Sequence, residues 1–142
     1  MIFHVFKTIQ TERYNQSIRV TECAREALLG ANVQNGVIYV ITNHTTTGIA
    51  VNEHLECIES DIQNMLARLV PENDPYLHAR MLPTYGQTAG NPTGHLKSHL
   101  TGNHCVFPIV DGEVRLGAAQ EIFLMEFDGP ARRTIHFTII GE

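Results

Sequence analysis

The chain has 142 residues, 43% of them hydrophobic and 18% charged, with a formal net charge of -5 from ten basic and fifteen acidic side chains. That balance fits one globular domain over residues 1–142, burying roughly two-thirds of the surface its unfolded chain exposes. Net acidity with scattered basic residues excludes a nucleic-acid groove or an anionic membrane as partner, and no apolar run nears the ~18 residues that span a bilayer, so a cytoplasmic location is expected.

From the N-terminus, "FHVFKTI" and "SIRV" alternate β-branched or aromatic residues with polar ones, which predicts two short strands able to pair as a hairpin. "TECAREALLG" predicts a short helix capped by Thr21 and ended by Gly30. Two strands follow, "NGVIYVIT" after a turn and "TGIAVNE" as its successor. Ile58, Ile62, Met65, Leu66 and Leu69 recur at helical spacing up to Pro71, predicting an amphipathic helix. Residues 71–90 carry three prolines and no period, which reads as a long loop of the kind that serves as a lid or binding loop.

Asn91 is placed to cap a helix whose first turn accepts Pro92 and which Gly102 ends. Beyond it, "HCVFPIV", "EVRLG", "AAQEIFLMEF" and "ARRTIHFTII" read as four strands in two hairpins, turned at Asp111-Gly112 and at Asp128-Gly129-Pro130. The order of elements predicts an antiparallel α+β domain. Cys23, Cys57 and Cys105 lie in apolar segments and are odd in number, so free buried thiols are expected rather than a disulfide framework.

His95 and His99 stand four apart on the Asn91 helix and share a face, the spacing at which two imidazoles can bind one metal. The glutamate of an HExxH motif is missing, and a structural or surface role is equally compatible with the pair. In "NHTTTGIAVNEH", His44, Thr45, Thr46 and Glu53 could together polarise a substrate or hold a hydrated cation; threonines also fill turns and edge strands with no such purpose. Lys97 and Arg133 could meet an anionic group. Neither a phosphate loop nor GxGxxG occurs, so no nucleotide cofactor is expected.

The blocks "NHTTTGIAVNE", "LVPENDPYLH", "GHLKSHLTG", "LGAAQEIFLMEFDGPARR" and "IHFTIIGE" together resemble the YjbQ-like family, also called secondary thiamine-phosphate synthases. The resemblance is collinear over nearly the whole chain. It implies a compact antiparallel α+β sandwich with a few short helices, assembled as a homotrimer. A trimer would also cover strands such as "EIFLMEF", which read as apolar on both faces.

The resemblance implies a reaction joining hydroxymethylpyrimidine diphosphate to a thiazole phosphate with release of pyrophosphate. Mapped onto this chain, it implies His44, Glu53, His95 and Gln120 as catalytic groups, with Thr45, Thr46, Asn91, Lys97 and Arg133 binding a phosphorylated small molecule. A divalent metal, Mg or Zn, would fall to His44, His78 and His95 of the family's positions, joined by His99, which is less typical of the family and enters through its spacing from His95. The family commonly carries Asp-Asn where this chain has Gly90-Asn91, and Thr-Trp where it has Ala118-Ala119. Two kinds of function follow: a transferase or metal-assisted hydrolase, and a non-catalytic metal- or small-molecule-binding trimer.

Overall fold

The computed structural model describes residues 1–80 and 91–142. Its strands are β1 (Ile2–Gln10), β2 (Gln16–Arg19), β3 (Gly36–Thr42), β4 (Thr47–Asn52), β5 (His104–Val110), β6 (Glu113–Val114), β7 (Glu121–Glu126) and β8 (Arg132–Gly141). Its helices are α1 (Thr21–Ala31), α2 (Glu56–Leu69), α3 (Leu77–Arg80) and α4 (Pro92–Thr101). All strand pairs are antiparallel, in a five-stranded sheet ordered β1-β8-β3-β5-β6 and a three-stranded sheet ordered β2-β7-β4. The α+β sandwich expected from the sequence is the observed fold.

Alternation sets the faces. On β8, Ile135, Phe137 and Ile139 are buried and enter the main core with Ile38, Val40, Ile109 and the α1 residues Ala24, Leu28 and Ala31. The three-stranded sheet closes this core with Ile49, Ile122 and Leu124. Its other face is covered within the chain, because Phe123, Met125 and Phe127 pack against Leu66 of α2. The two-sided apolarity of β7 is therefore satisfied by one sheet and one helix, and gives no reason to expect a partner subunit.

The expected hairpins are largely absent. β1 pairs with β8 while β2 pairs with β7, in different sheets. β3 and β4 also part between sheets, and so do β7 and β8, whose Asp128-Gly129-Pro130 link crosses over with a cis Gly129-Pro130 bond. Only the Asp111-Gly112 hairpin forms, and its second strand has two residues. The three crossings, residues 11–15, 43–46 and 127–131, lie at one end of the sandwich, because Gln10 pairs Arg132, Gln16 pairs Glu126 and Thr47 pairs Glu126.

Details at the helix ends also differ. Val20, not Thr21, is the N-cap of α1, and the helix passes Gly30 to end at Asn32 in the left-handed region, φ 54°. Thr21 instead accepts from the Ile122 amide and donates to Glu121, joining helix to sheet. The expected loop contains α3, and its residues 81–90, with any lid they form, lie outside the described residues. Cys23 and Cys105 are partly buried but Cys57 is exposed; all three are free. Among the described residues no helix is long and apolar enough to cross a membrane.

Candidate functional site

Glu126 ends β7 with a fully buried side chain. Its Oε1 accepts from the Thr11 hydroxyl at 2.6 Å and from Arg133 Nε at 2.7 Å. Its Oε2 accepts from Arg133 Nη2 at 2.6 Å and from the amides of Phe127 and Asp128 at 3.0 and 3.1 Å. Burial alone would raise the carboxyl's pKa, but the bonds from Arg133, Thr11 and the Asp128 backbone outweigh it and hold it lowered. Arg133 Nη2 also donates to Thr46 Oγ1 at 3.1 Å, so one ion pair fastens all three sheet crossings. The guanidinium is thereby committed inside the fold rather than offered to a ligand.

On this base stands the turn from β3 to β4. His44 Nε2 accepts from the Thr134 amide at 2.9 Å, which orients the ring. The half-buried His44 and the exposed Thr45 line a cavity of about 490 Å³ with His95, Ser98 and His99 of α4 and with Asn103. Helix α4 reaches this position by lying directly on β4. A Cβ on Gly48 would stand 2.5 Å from Thr101 Cγ2, and one on Gly94 would stand 2.9 Å from the Phe127 carbonyl. Ser98 Oγ donates to the Thr47 carbonyl at 2.5 Å.

Two rings on this cavity are kept neutral near pH 7. Burial lowers the His44 pKa, helped by Arg133 and opposed by Glu126. Burial also lowers that of His95, helped by His78 and opposed by Asp128 and a hydrogen bond to the Thr45 backbone. An uncharged imidazole can accept a hydrogen bond or a proton as well as donate, whereas imidazolium can only donate.

Beside the cavity, His78 of α3 meets His95 edge-on, with ring centroids 5.1 Å apart. Asn91 occupies the N-cap position of α4 but makes no side-chain cap bond, contrary to expectation. Its Nδ2 donates to Asp128 Oδ2 at 2.7 Å, which leaves Oδ1 to accept from His78 Nε2 at 3.0 Å. An adjoining groove of about 420 Å³, lined by Tyr76, Leu77, His78, Pro92, His95 and Leu96, shares the His95 ring with the cavity. Asp128 was legible only as part of a turn, and Ser98 only through its spacing, three residues after His95.

Lys97 neither reaches the cavity nor stays in solvent. It is 3% exposed, and its Nζ lies 3.5 Å from Asn15 Oδ1 across the sheet crossing. Burial lowers its pKa against the pull of Glu72. Glu72 itself is engaged by Tyr14 and Thr93, each at 3.1 Å.

Glu53 and Gln120 are not part of this assembly. Asn52 pairs with Glu121 at the far end of the β4–β7 ladder from Thr47 and Glu126, so the residues flanking that pair lie about 20 Å from the crossings at ~3.3 Å per residue. Both are exposed, and Gln120 Oε1 accepts from the Gly117 amide at 2.7 Å.

The expected metal set fits poorly as it stands. Among the described residues no three His, Cys, Asp or Glu side chains are grouped to hold an ion. The lone pair of His44 Nε2 is already engaged by the Thr134 amide, whereas a ligating imidazole nitrogen must offer that lone pair to the metal.

A family model described as UPF0047 protein YjbQ-like matches residues 6–142. A UPF0047 protein of Methanocaldococcus jannaschii is 34% identical over 135 residues, covering 94% of this chain and 91% of the relative. The UPF0047 protein YugU of Bacillus subtilis is 29% identical over 96% of this chain and 100% of its own length. Among solved structures, a YbjQ-like protein of unknown function from Sulfolobus solfataricus superposes with a TM-score of 0.92 at 25% identity, covering 100% of this chain and 99% of the other. A YjbQ/UPF0047 protein from Clostridium acetobutylicum gives 0.86 at 30% identity over 96% of this chain and 99% of that one. With the family model spanning all but the first five residues and the fold shared from end to end, the chain belongs to the YjbQ-like UPF0047 family.

Proposed function

We propose that the cavity between the β3–β4 turn and α4 is the active site of a transferase that joins two small heterocyclic substrates. The reaction is the one the sequence resemblance implies. A carbon–nitrogen bond forms between the methylene of a hydroxymethylpyrimidine diphosphate and the ring nitrogen of a thiazole phosphate, while the carbon–oxygen bond to pyrophosphate breaks. The observation that carries this reading is the meeting of His44 and His95, from distant parts of the chain, on one polar cavity with both rings kept uncharged. Neutral donors and acceptors suit the orienting of flat heterocycles, and orientation supplies much of the acceleration in a two-substrate reaction. Magnesium enters with the diphosphate as part of that substrate.

The test is incubation of the purified protein with both precursors and magnesium, with thiamine phosphate and pyrophosphate measured together. Equal amounts of the two products are expected; their absence overturns the transferase reading.

A non-catalytic binding module is the second reading, favoured by the state of the cations. Arg133 is paired with Glu126, and Lys97 is buried beside Asn15, so neither is available to a departing anion. A ligand that binds without turnover would decide for it.

The assembly we propose is a homotrimer built on the outer face of the five-stranded sheet. Phe6 is 61% exposed there and Val106 48%, with Ile140, Val110 and Pro108 also open. Burying apolar surface of this kind against further copies of the chain supports that assembly.

A further inference from the structure

We infer that Asp128 and Asn91 are positioning residues for the candidate site: together they hold the His78 proton on Nε2 and the His78 ring against His95. The effect on turnover rests on the transferase reading of the cavity, whereas the hydrogen-bonded chain stands without it. Three separate elements meet here. Asp128 comes from the crossing between β7 and β8, Asn91 stands at the head of α4, and His78 lies on α3.

The carboxylate end fixes the direction of the chain. An ionised carboxylate only accepts, and Asp128 Oδ2 lies 2.7 Å from the Asn91 side-chain amide, which must therefore turn its Nδ2 that way. Oδ1 then lies 3.0 Å from His78 Nε2, and a carbonyl oxygen requires a proton on that nitrogen. In the neutral ring the lone pair is on Nδ1. Flipping the amide would break both bonds at once, setting carbonyl against carboxylate and NH2 against the ring N–H. Asn91 is thus an adapter through which a carboxylate selects one imidazole tautomer without touching it.

A second observation points the same way. An asparagine at an N-cap ordinarily gives its side-chain oxygen to an amide of the first helical turn, yet Asn91 makes no such bond. Its oxygen goes to His78 instead, a departure that helix stability does not ask for. His78 carries the constraint onward, because its ring meets His95 with centroids 5.1 Å apart and planes at 88°. Edge-on ring contacts are directional, so turning one ring displaces the other. His95 in turn lines both the polar cavity and the apolar groove, so its orientation sets what a ligand in either one meets. His78, Asn91 and Asp128 are each partly buried, which limits competition from water along the chain.

The experiment combines long-range 1H–15N spectroscopy of the imidazole rings with a turnover assay on both precursors and magnesium. It uses the full-length 15N-labelled protein at pH 7.5, with His78→Gln and His95→Gln for assignment and melting temperatures to identify folded variants. The wild type should show His78 protonated on Nε2. Asp128→Ala leaves the Asn91 amide able to rotate, and Asn91→Leu removes the adapter without touching the crossing. Each should lose the single tautomer, move the His95 ring signals and lower kcat by ~10-fold, as misplacement of an orienting group does. The double variant Asn91→Asp, Asp128→Asn exchanges carboxylate and amide at constant shape, so the new carboxylate can accept from both neighbours. It should return the proton to Nε2 and recover most of the lost turnover, which a merely structural pair would not do. His78 protonated on Nδ1 alone in the wild type would overturn the inference. So would both single variants keeping the tautomer and the rate, or a folded double variant no better than Asp128→Ala. A wild type without turnover would overturn the transferase reading, and the His78 tautomer and His95 signals would still confirm or refute the chain.

Discussion

Replacing Glu126 by glutamine tests how the crossing end of the sandwich is held. The carboxylate is fully buried and accepts from Thr11, from Arg133 twice, and from the Phe127 and Asp128 amides. A glutamine keeps one oxygen but turns an NH2 toward groups that can only donate: either Arg133 Nε, or Arg133 Nη2 with the two amides. The guanidinium is then buried without its counter-charge, a change that costs about 3–5 kcal/mol. At ~3–4 °C per kcal/mol for a domain of this size, the melting temperature should fall by about 10–20 °C. Urea denaturation read by far-UV circular dichroism measures the loss, provided the slope m stays constant. Arg133→Gln alone should cost a similar amount, and the double variant should cost less than the sum by at least ~1.5 kcal/mol, since the partners share one network. A single-variant loss below ~1 kcal/mol, or strict additivity, would refute the claim that this pair fastens the three crossings.

Further outcomes follow from the same geometry. Because burial lowers the pKa of His44 and His95 below that of the unfolded chain, the unfolded state takes up protons first, and stability should decline as pH falls below ~6.5; a melting temperature flat from pH 8 to 5 would contradict this. The lowered pKa of Glu126 adds a second loss as pH falls below ~4.5, through its folded-state value, visible as a steeper acid limb that Glu126→Gln removes. Lys97→Met should raise stability by about 1 kcal/mol, because a buried ammonium with a 3.5 Å contact to Asn15 gives way to an apolar chain of similar length; a loss of more than ~1 kcal/mol would show that the ammonium contributes net stability. Phe6→Glu, on the open sheet face, should convert a trimer to a monomer in light scattering, and a wild-type monomer would remove the trimer.

Periodicity located the strands because alternation is a local property, as in β8, where Arg133, Ile135, Phe137 and Ile139 face inward. It could not supply their partners. Asp128-Gly129-Pro130 has the composition of a hairpin turn, yet Gly129 is needed because a Cβ there would stand 2.1 Å from the Arg13 carbonyl of a neighbouring crossing. Nothing within the turn itself encodes that neighbour. The family motif brought His44 and His95 forward, and both line the cavity. It also brought forward Glu53, but the strand between them carries nine positions of sequence to the opposite end of the sheet. Lys97 misled through its charge: on α4 it is Thr93, Gly94 and Lys97 that face the sheet, while Leu96 and Leu100 are open.

Whether the cavity performs the proposed chemistry is tested most directly by assaying His95→Ala beside the wild type, with both precursors and magnesium, and with melting temperatures recorded on the same samples. The account predicts equal release of thiamine phosphate and pyrophosphate by the wild type, and a rate at least ~10-fold lower in His95→Ala, the size of effect that loss of a group orienting one of two substrates produces, at a melting temperature within a few degrees of the wild type. Undiminished turnover in a folded His95→Ala protein would contradict it.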